Sequence, residues 1–233
     1  MYPRRAPMSS NPYRDLYDRL LASYGPQGWW PGEGPFEVIV GAILTQRTAW
    51  RNVETAMRRL RERGLTTVAA IDEAPTKRIQ EAIRPAGFYN AKAGKLKAFA
   101  AHLMREHGGD LERLFARADD ALREELLGLH GVGEETADAI LVYAARKPSF
   151  VIDAYTRRLL TRLGWIAGHE SYGELRELFL DALPGDVEVL GEFHALIVRH
   201  GKAHCRADPA CGGCPVRSIC AAASAAEASE TGG

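Results

Sequence analysis

Apolar residues recur at helical spacing along almost the whole chain, and that pattern leaves little room for a sheet. In "PFEVIVGAILTQRTAWRNVETAMRRLRER", Val38, Leu44, Val53, Met57 and Leu60 fall in apolar runs too long for strands. The stretch reads as two helices with a break near Gln46 to Ala49. "TTVAAIDEAPTKRIQEAI" offers Asp-Glu-Ala-Pro as a helix start, with Pro75 at an early position where its missing N–H costs least. "NAKAGKLKAFAAHLMREHGG" is a helix ended by the glycine pair 108 and 109. "ADDALREELLGLHGVG" is a short helix running into a glycine hairpin. "DAYTRRLLTRLG" is capped by Asp153 and stopped by Gly164. "SYGELRELFLDAL" and "DVEVLGEFHALIVRHG" complete the set. Only "SFVIDA" resembles a strand, and it is too short and solitary to build a sheet. The predicted class is all-α.

With 233 residues, 46% of them hydrophobic, the chain can bury one large core or two modest ones. Lysine plus arginine and aspartate plus glutamate both number 30, so net charge pushes toward neither nucleic acid nor a membrane. No run of eighteen apolar residues exists, and "MYPRRAPMSSNPYRD" lacks an apolar signal core, so an intracellular, cytoplasmic protein without a membrane partner is expected. The first dozen residues are expected to be flexible, and the small, polar tail from residue 223 to 233 to be disordered.

All four cysteines, Cys205, Cys211, Cys214 and Cys220, fall in one loop with the spacing C-x5-C-x2-C-x5-C. That distribution suits a single metal centre in a reducing compartment rather than a disulfide framework. Zinc held by four cysteines usually pairs two C-x2-C knuckles, whereas a larger four-iron, four-sulfur (4Fe-4S) cluster accepts wider spacing. The spacing alone leaves both open.

The hairpin "LHGVG" places Gly131 and Gly133 where positive φ is expected, and a turn of this kind before a helix can hold phosphate. It can equally be a plain connector. Ala137, Ile140, Leu141 and Ala144 then form the core stripe of the following helix. Glu134 and Glu135 sit in its first turn, where the helix dipole favours acids by about 0.3–1 kcal/mol, although two carboxylates would also repel a neighbouring phosphate. Asp153 is an N-cap, and a capping carboxylate is fixed in place and kept ionised. Two acid-free windows are basic: Arg84 to Arg105, with Lys92, Lys95 and Lys97, and Arg199 to Arg206, with Lys202. Each can track a phosphate backbone or be a solvated helix face. Trp29 and Trp30, followed by Pro31, can stack an unpaired base or fill a core.

Together, "LHGVGEETADAILVYA", "VIDAYTRRLL" and the four-cysteine loop resemble the helix-hairpin-helix (HhH-GPD) DNA glycosylase superfamily, endonuclease III branch, over roughly residues 12 to 222. "WWPGEGPFEVIVGAILTQRT", "IRPAGFYNAKAGKLK" and "GVGEETADAILVYA" are most similar to its 3-methyladenine glycosylases. The resemblance implies two helical domains: a six-helix barrel over 35–147 containing the helix-hairpin-helix at about 122–145, and a cluster domain from 1–34 plus 148–222. It implies a 4Fe-4S cluster on the four cysteines and damaged double-stranded DNA bound by a monomer. Gly131, Val132 and Gly133 would grip phosphate, with Lys92, Lys95 and Lys202 as further DNA contacts. Gln46 would enter the space left by a flipped base, Trp29, Trp30 and Trp50 would sandwich that base, and Asp153 would promote cleavage of its glycosidic bond.

Three departures from the family pattern stand out. The first cysteine gap is five residues rather than six, and Arg47 replaces a small polar residue. Glu135 occupies the position where bifunctional members carry the lysine that forms a Schiff base. A carboxylate cannot do this, so Glu135 marks a monofunctional enzyme of base excision repair. The alternatives are a glycosylase for oxidised or mismatched pyrimidines with weak lyase activity, and a non-catalytic binder of damaged DNA.

Overall fold

The computed structural model describes residues 11–30 and 32–225. Asn11 opens the first helix by accepting the Arg14 N–H (3.1 Å), and Pro12 follows at N1. The helices in chain order are α1 (Pro12–Tyr24), α2 (Pro35–Leu44), α3 (Trp50–Glu62), α4 (Val68–Glu73), α5 (Thr76–Ile83), α6 (Tyr89–His107), α7 (Leu111–Phe115), α8 (Asp119–Leu127), α9 (Glu134–Ala139), α10 (Ala154–Leu163), α11 (Tyr172–Ala182) and α12 (Val187–Ala203). A 3₁₀ turn, Arg84–Ala86, follows α5, and α9 continues into one π turn, Ile140–Ala144. Among the described residues there is no strand, so the all-α expectation stands. No helix there is long and apolar enough to cross a membrane.

Local chemistry sets most of the boundaries. Gly108 ends α6 in the left-handed conformation and Gly164 does the same for α10. Ser171 and Glu174 form a reciprocal capping box at the start of α11. Pro75 marks a helix start as the sequence suggested, although at the N-cap rather than inside the helix, and the residues before it form a helix of their own. Thr67 caps α4, which stops at Glu73, and Pro75 becomes the N-cap of a separate helix, α5. The "SFVIDA" segment is extended but pairs with nothing as a strand. Phe150, Val151 and Ile152 bury their side chains, and the Ile152 N–H donates to the Tyr172 hydroxyl at 3.2 Å.

Contacts divide the chain into two units, residues 30–147 and residues 1–29 with 148–233. In the first unit α6 packs on α4 and α5, α3 packs on α5, and α2 lies against the π turn. Ile39, Ile43, Leu60, Phe99, Leu122 and Ile140 are sealed in this core. In the second unit α12 packs on α1 and α10 around Leu16, Leu160, Phe179 and Phe193. Phe150 stacks on Phe179 with centroids 3.7 Å apart and planes 4° from parallel. That pair adds about 0.5–1.5 kcal/mol beyond its buried area.

Two terminal expectations are corrected. Asn11 and Pro12 belong to an ordered helix start, while the earlier residues of the expected flexible dozen lie outside the described residues. The tail expected to be disordered from 223 begins instead as a helical turn over 221–225, with Ala223 buried, and residues 226–233 lie outside the described residues.

Candidate functional site

The hairpin between α8 and α9 is built by three side chains from outside it. Gln46, in the turn after α2, donates its amide N–H groups to the Gly131 carbonyl and to Thr136 Oγ1, both at 3.0 Å. Lys95 of α6 donates in turn to Gln46 Oε1. Its aliphatic stem crosses Gly131 so closely that a Cβ there would fall 2.3 Å from Lys95 Cγ, and Gly131 has φ +83°. Glycine is therefore required twice over at 131. Val132 is buried and anchors the tip. Arg123 of α8 grips Asp138 of α9 through Nε to Oδ1 (2.9 Å) and Nη2 to Oδ2 (3.0 Å), and Asp138 is fully buried. Arg123 also lies 3.8 Å from Glu134, so that acid has a cationic neighbour as well as the helix end.

Gly133 departs from expectation. Its φ is −99°, a value open to any residue, and a Cβ there would meet nothing within 4 Å. Neither conformation nor packing inside the chain requires glycine at 133. Glu135 is exposed in the first turn of the same helix.

A cavity of about 480 Å³ opens in the same unit beside Trp30, Trp50, Gly41, Met57 and Glu37. Trp30 and Trp50 meet edge to face at 5.2 Å, and Tyr143 of the π turn lies 5.4 Å from Trp30. Gly41 makes room for the indole, since a Cβ there would fall 2.9 Å from Trp30 Nε1. Glu37 is held by a two-pronged bond from Arg61 (2.7 and 2.6 Å). That guanidinium outweighs burial and, with the Glu33 N–H, keeps the Glu37 carboxyl below the usual carboxylate range. Of the expected aromatic trio, Trp30 and Trp50 share this cavity. Trp29 belongs to the other unit, with the exposed Lys202 ammonium 5.7 Å from its ring centre. Pro31 lies outside the described residues.

Asp153 caps α10 by accepting from the Thr156 N–H (2.8 Å) and hydroxyl (3.0 Å). His194 of α12 brings Nε2 to 3.6 Å from the other carboxylate oxygen. Burial pushes the Asp153 carboxyl up, but His194 and Thr156 together outweigh it and hold the group below its ordinary value. Sequence reasoning did not single out His194. A lone histidine inside the apolar "GEFHALIV" gives no signal beyond a core position.

The four cysteines are free thiols in one loop after α12. Arg162 of α10 holds that loop, donating from Nη1 to Cys205 Sγ (3.4 Å) and from Nη2 to the Ala207 carbonyl (2.8 Å), and Arg158 donates to the Cys205 carbonyl (2.7 Å). Burial raises the Cys214 thiol, and Cys211, Cys220 and Cys205 raise it further, so the Cys214 sulfur lies near enough to each of the other three to feel its charge.

The expectation for Lys92 is corrected. Its side chain is 2% exposed, and its ammonium donates to the Leu44 carbonyl at 2.9 Å and the Ala86 carbonyl at 2.8 Å. It caps the end of α2 and cannot meet a phosphate backbone. Burial first, and the nearby Lys95 second, lower its pKa to about 8. Lys97 similarly donates to the Asp72 and Ala74 carbonyls at the C-terminal end of α4. The basic window of the sequence is thus largely internal scaffolding.

The family model of the HhH-GPD superfamily base excision DNA repair proteins matches residues 40–184. A putative DNA repair glycosylase of Methanocaldococcus jannaschii is 46% identical over 206 residues, 88% of this chain and 94% of its own. Endonuclease III of Thermotoga maritima is 30% identical over 187 residues, 80% of this chain and 82% of its own. Among solved structures, the H.pylori 3-methyladenine DNA glycosylase bound to 1,N6-ethenoadenine superimposes with a TM-score of 0.72 and 28% identity, over 82% of this chain and 97% of that one. With the hairpin, the capping aspartate and the cysteine loop all in place, the chain belongs to the endonuclease III-like DNA glycosylases of the HhH-GPD superfamily of base excision DNA repair proteins.

Proposed function

We propose that this chain is a monofunctional glycosylase that removes an alkylated purine from duplex DNA and leaves the strand intact. The observation that carries the proposal is Asp153, a carboxylate kept ionised inside the fold by Thr156 and His194. As the C1′–N bond of a flipped nucleotide lengthens, its electron pair goes to the base and positive charge grows on the sugar. Asp153 stabilises that charge and takes the proton of the water that adds its oxygen to C1′. A purine already made cationic by alkylation departs neutral and needs no protonation. Glu135, with no amine to offer, cannot form the Schiff base through which a sugar-bound lysine would cut the strand.

Trp30 and Trp50 supply aromatic surface suited to a cationic ring. The similarity to the 3-methyladenine DNA glycosylase, whose structure holds 1,N6-ethenoadenine, supports a modified purine as substrate. The hairpin backbone at Gly131, Val132 and Gly133 contacts a phosphate, which accounts for a glycine at 133 that the fold itself does not demand. Lys95 orients the Gln46 amide beside that hairpin, and Lys202 is an exposed cation for the backbone. Cys205, Cys211, Cys214 and Cys220 hold a 4Fe-4S cluster. The donor set fits: four free thiols, with Cys214 close enough to each of the other three to feel its charge and the Arg162 guanidinium at hand beside Cys205. When bound, the cluster supplies a cross-link that stitches the loop to α10 and α12.

The test is a panel of duplexes, each carrying one modified base, scored for base release and for nicking before and after alkali. Release of alkylated purines with nicks only after alkali, abolished by Asp153→Asn with DNA binding retained, is the expected result. Nicking without alkali, trapped by borohydride, would overturn the monofunctional assignment. Release of oxidised or mismatched pyrimidines instead would overturn the substrate class, and no release of any base would leave a binder of damaged DNA. Absorption near 400 nm in anaerobically purified protein, with iron but not zinc in stoichiometric amount, tests the cluster.

A further inference from the structure

On the face of the first unit formed by the end of α6 and by α8, three metal-ligating side chains converge. Glu125 Oε1 of α8 lies 2.7 Å from His102 Nε2 and 2.6 Å from His107 Nε2, both on α6. All three ligand atoms lie within 4.8 Å of one another. The side chains are only 17%, 10% and 13% exposed, for His102, His107 and Glu125 respectively. Arg117, in the link between α7 and α8, holds the other carboxylate oxygen at 2.8 Å. None of these residues belongs to the hairpin, the aromatic cavity, the capping aspartate or the cysteine loop.

A hydrogen-bonded carboxylate would be satisfied by Arg117 and one imidazole. Here a second imidazole turns the same nitrogen toward the same oxygen, so three lone-pair atoms face one point. Two imidazole nitrogens and one carboxylate oxygen are a zinc donor set that leaves a coordination position for solvent. Arg117 fixes the carboxylate from behind, as an outer partner of a metal ligand does. We propose that His102, His107 and Glu125 form a site for one divalent transition-metal ion, Zn²⁺ by its donor set. The ion takes the place of the hydrogen bonds that now join the three groups. It ties the C-terminal end of α6 to α8, the helix that leads directly into the hairpin.

The experiment uses the full-length protein, with the cysteine loop as purified. Samples are equilibrated with Zn²⁺, freed of loose metal, and measured for zinc and iron. In parallel, thermal unfolding is followed with Zn²⁺ or with chelator. One zinc per chain is expected beyond whatever the cysteine loop holds, lost in H102Q/H107Q while iron content is unchanged. Zinc at 100-fold above its dissociation constant should raise Tm by about 5–10 °C in the wild type and not in the variant. Single H102Q, at the more exposed position, serves if the double variant fails to fold, and ¹⁵N shifts of both histidine Nε2 atoms on adding Zn²⁺ report ligation directly. Equal zinc content in wild type and variant, or a wild type that binds no zinc and shows no Tm shift, would overturn the proposal.

Discussion

The two hairpin glycines should respond to one methyl group in opposite ways. At Gly131 the backbone is left-handed, and an added Cβ would overlap the Lys95 stem. Forcing alanine into that region costs roughly 1–2 kcal/mol. Displacing Lys95 breaks its charged hydrogen bond to Gln46, worth about 1.5–3 kcal/mol. Gly131→Ala should therefore lose about 2.5–5 kcal/mol, or about 5–20 °C in Tm for a chain of this size. At Gly133 φ is −99° and no atom stands within reach of a Cβ. The small loss of an N-cap preference is offset by reduced freedom of the unfolded chain, so Gly133→Ala should stay within about 1 kcal/mol of wild type. Its methyl group would instead stand between the hairpin backbone and a phosphate. Affinity for lesion duplex should fall about 10- to 100-fold, with little change in the slope of log K against log salt because the hairpin amides carry no net charge. Differential scanning calorimetry paired with fluorescence anisotropy at several salt concentrations separates the two effects. Equal destabilisation by both variants, or undiminished DNA affinity in Gly133→Ala, would refute the reasoning.

Three further outcomes are expected. Lys92→Ala orphans the carbonyls of Leu44 and Ala86 and should cost about 3–5 kcal/mol in chemical denaturation. The dissociation constant for DNA, measured well below the melting point, should stay within about twofold, and a large loss of affinity would contradict the buried capping role. Removing the imidazole in His194→Ala takes away the larger of the two influences that offset burial at Asp153 and raises its pKa, with the Thr156 bonds still opposing burial. The acid limb of the kcat/KM profile should then move to higher pH, and the stability contributed by Asp153 ionisation should be lost at a correspondingly higher pH as the solution is acidified; an unmoved limb counts against His194 as the positioning group. Glu135→Lys should acquire a borohydride-trapped covalent adduct with DNA that Glu135→Gln lacks, whereas a wild-type chain that traps equally well would show the amine comes from elsewhere.

Elements with strong local signals were legible before the fold was known. The Asp153 cap, the Gly108 and Gly164 stops and the break after Leu44 depend on neighbouring residues alone, whereas the Asn11 cap and the helix it opens were not read from the sequence. Long-range partners carry no such mark. Lys92 and Lys97 look like surface cations because a charged side chain in an acid-free helix usually is one. Only the tertiary arrangement shows each ammonium spent on the carbonyls of a neighbouring helix end. The hairpin was legible from two glycines, yet just one of them has the backbone conformation that reasoning assigned to both. His194, the Arg123–Asp138 clasp and the Lys95–Gln46–Gly131 link all join residues distant in sequence, and nothing in their spacing forecasts a meeting.

That last link has a thermodynamic consequence. With Gly131, Gln46 and Lys95 tied to one another, and Arg123 clasping Asp138 behind them, the hairpin is a rigid mould before any ligand arrives. Little chain entropy remains to be lost when it docks. Calorimetric titration with undamaged duplex should then report a heat-capacity change no larger than rigid surface burial requires, with no folding signature superimposed.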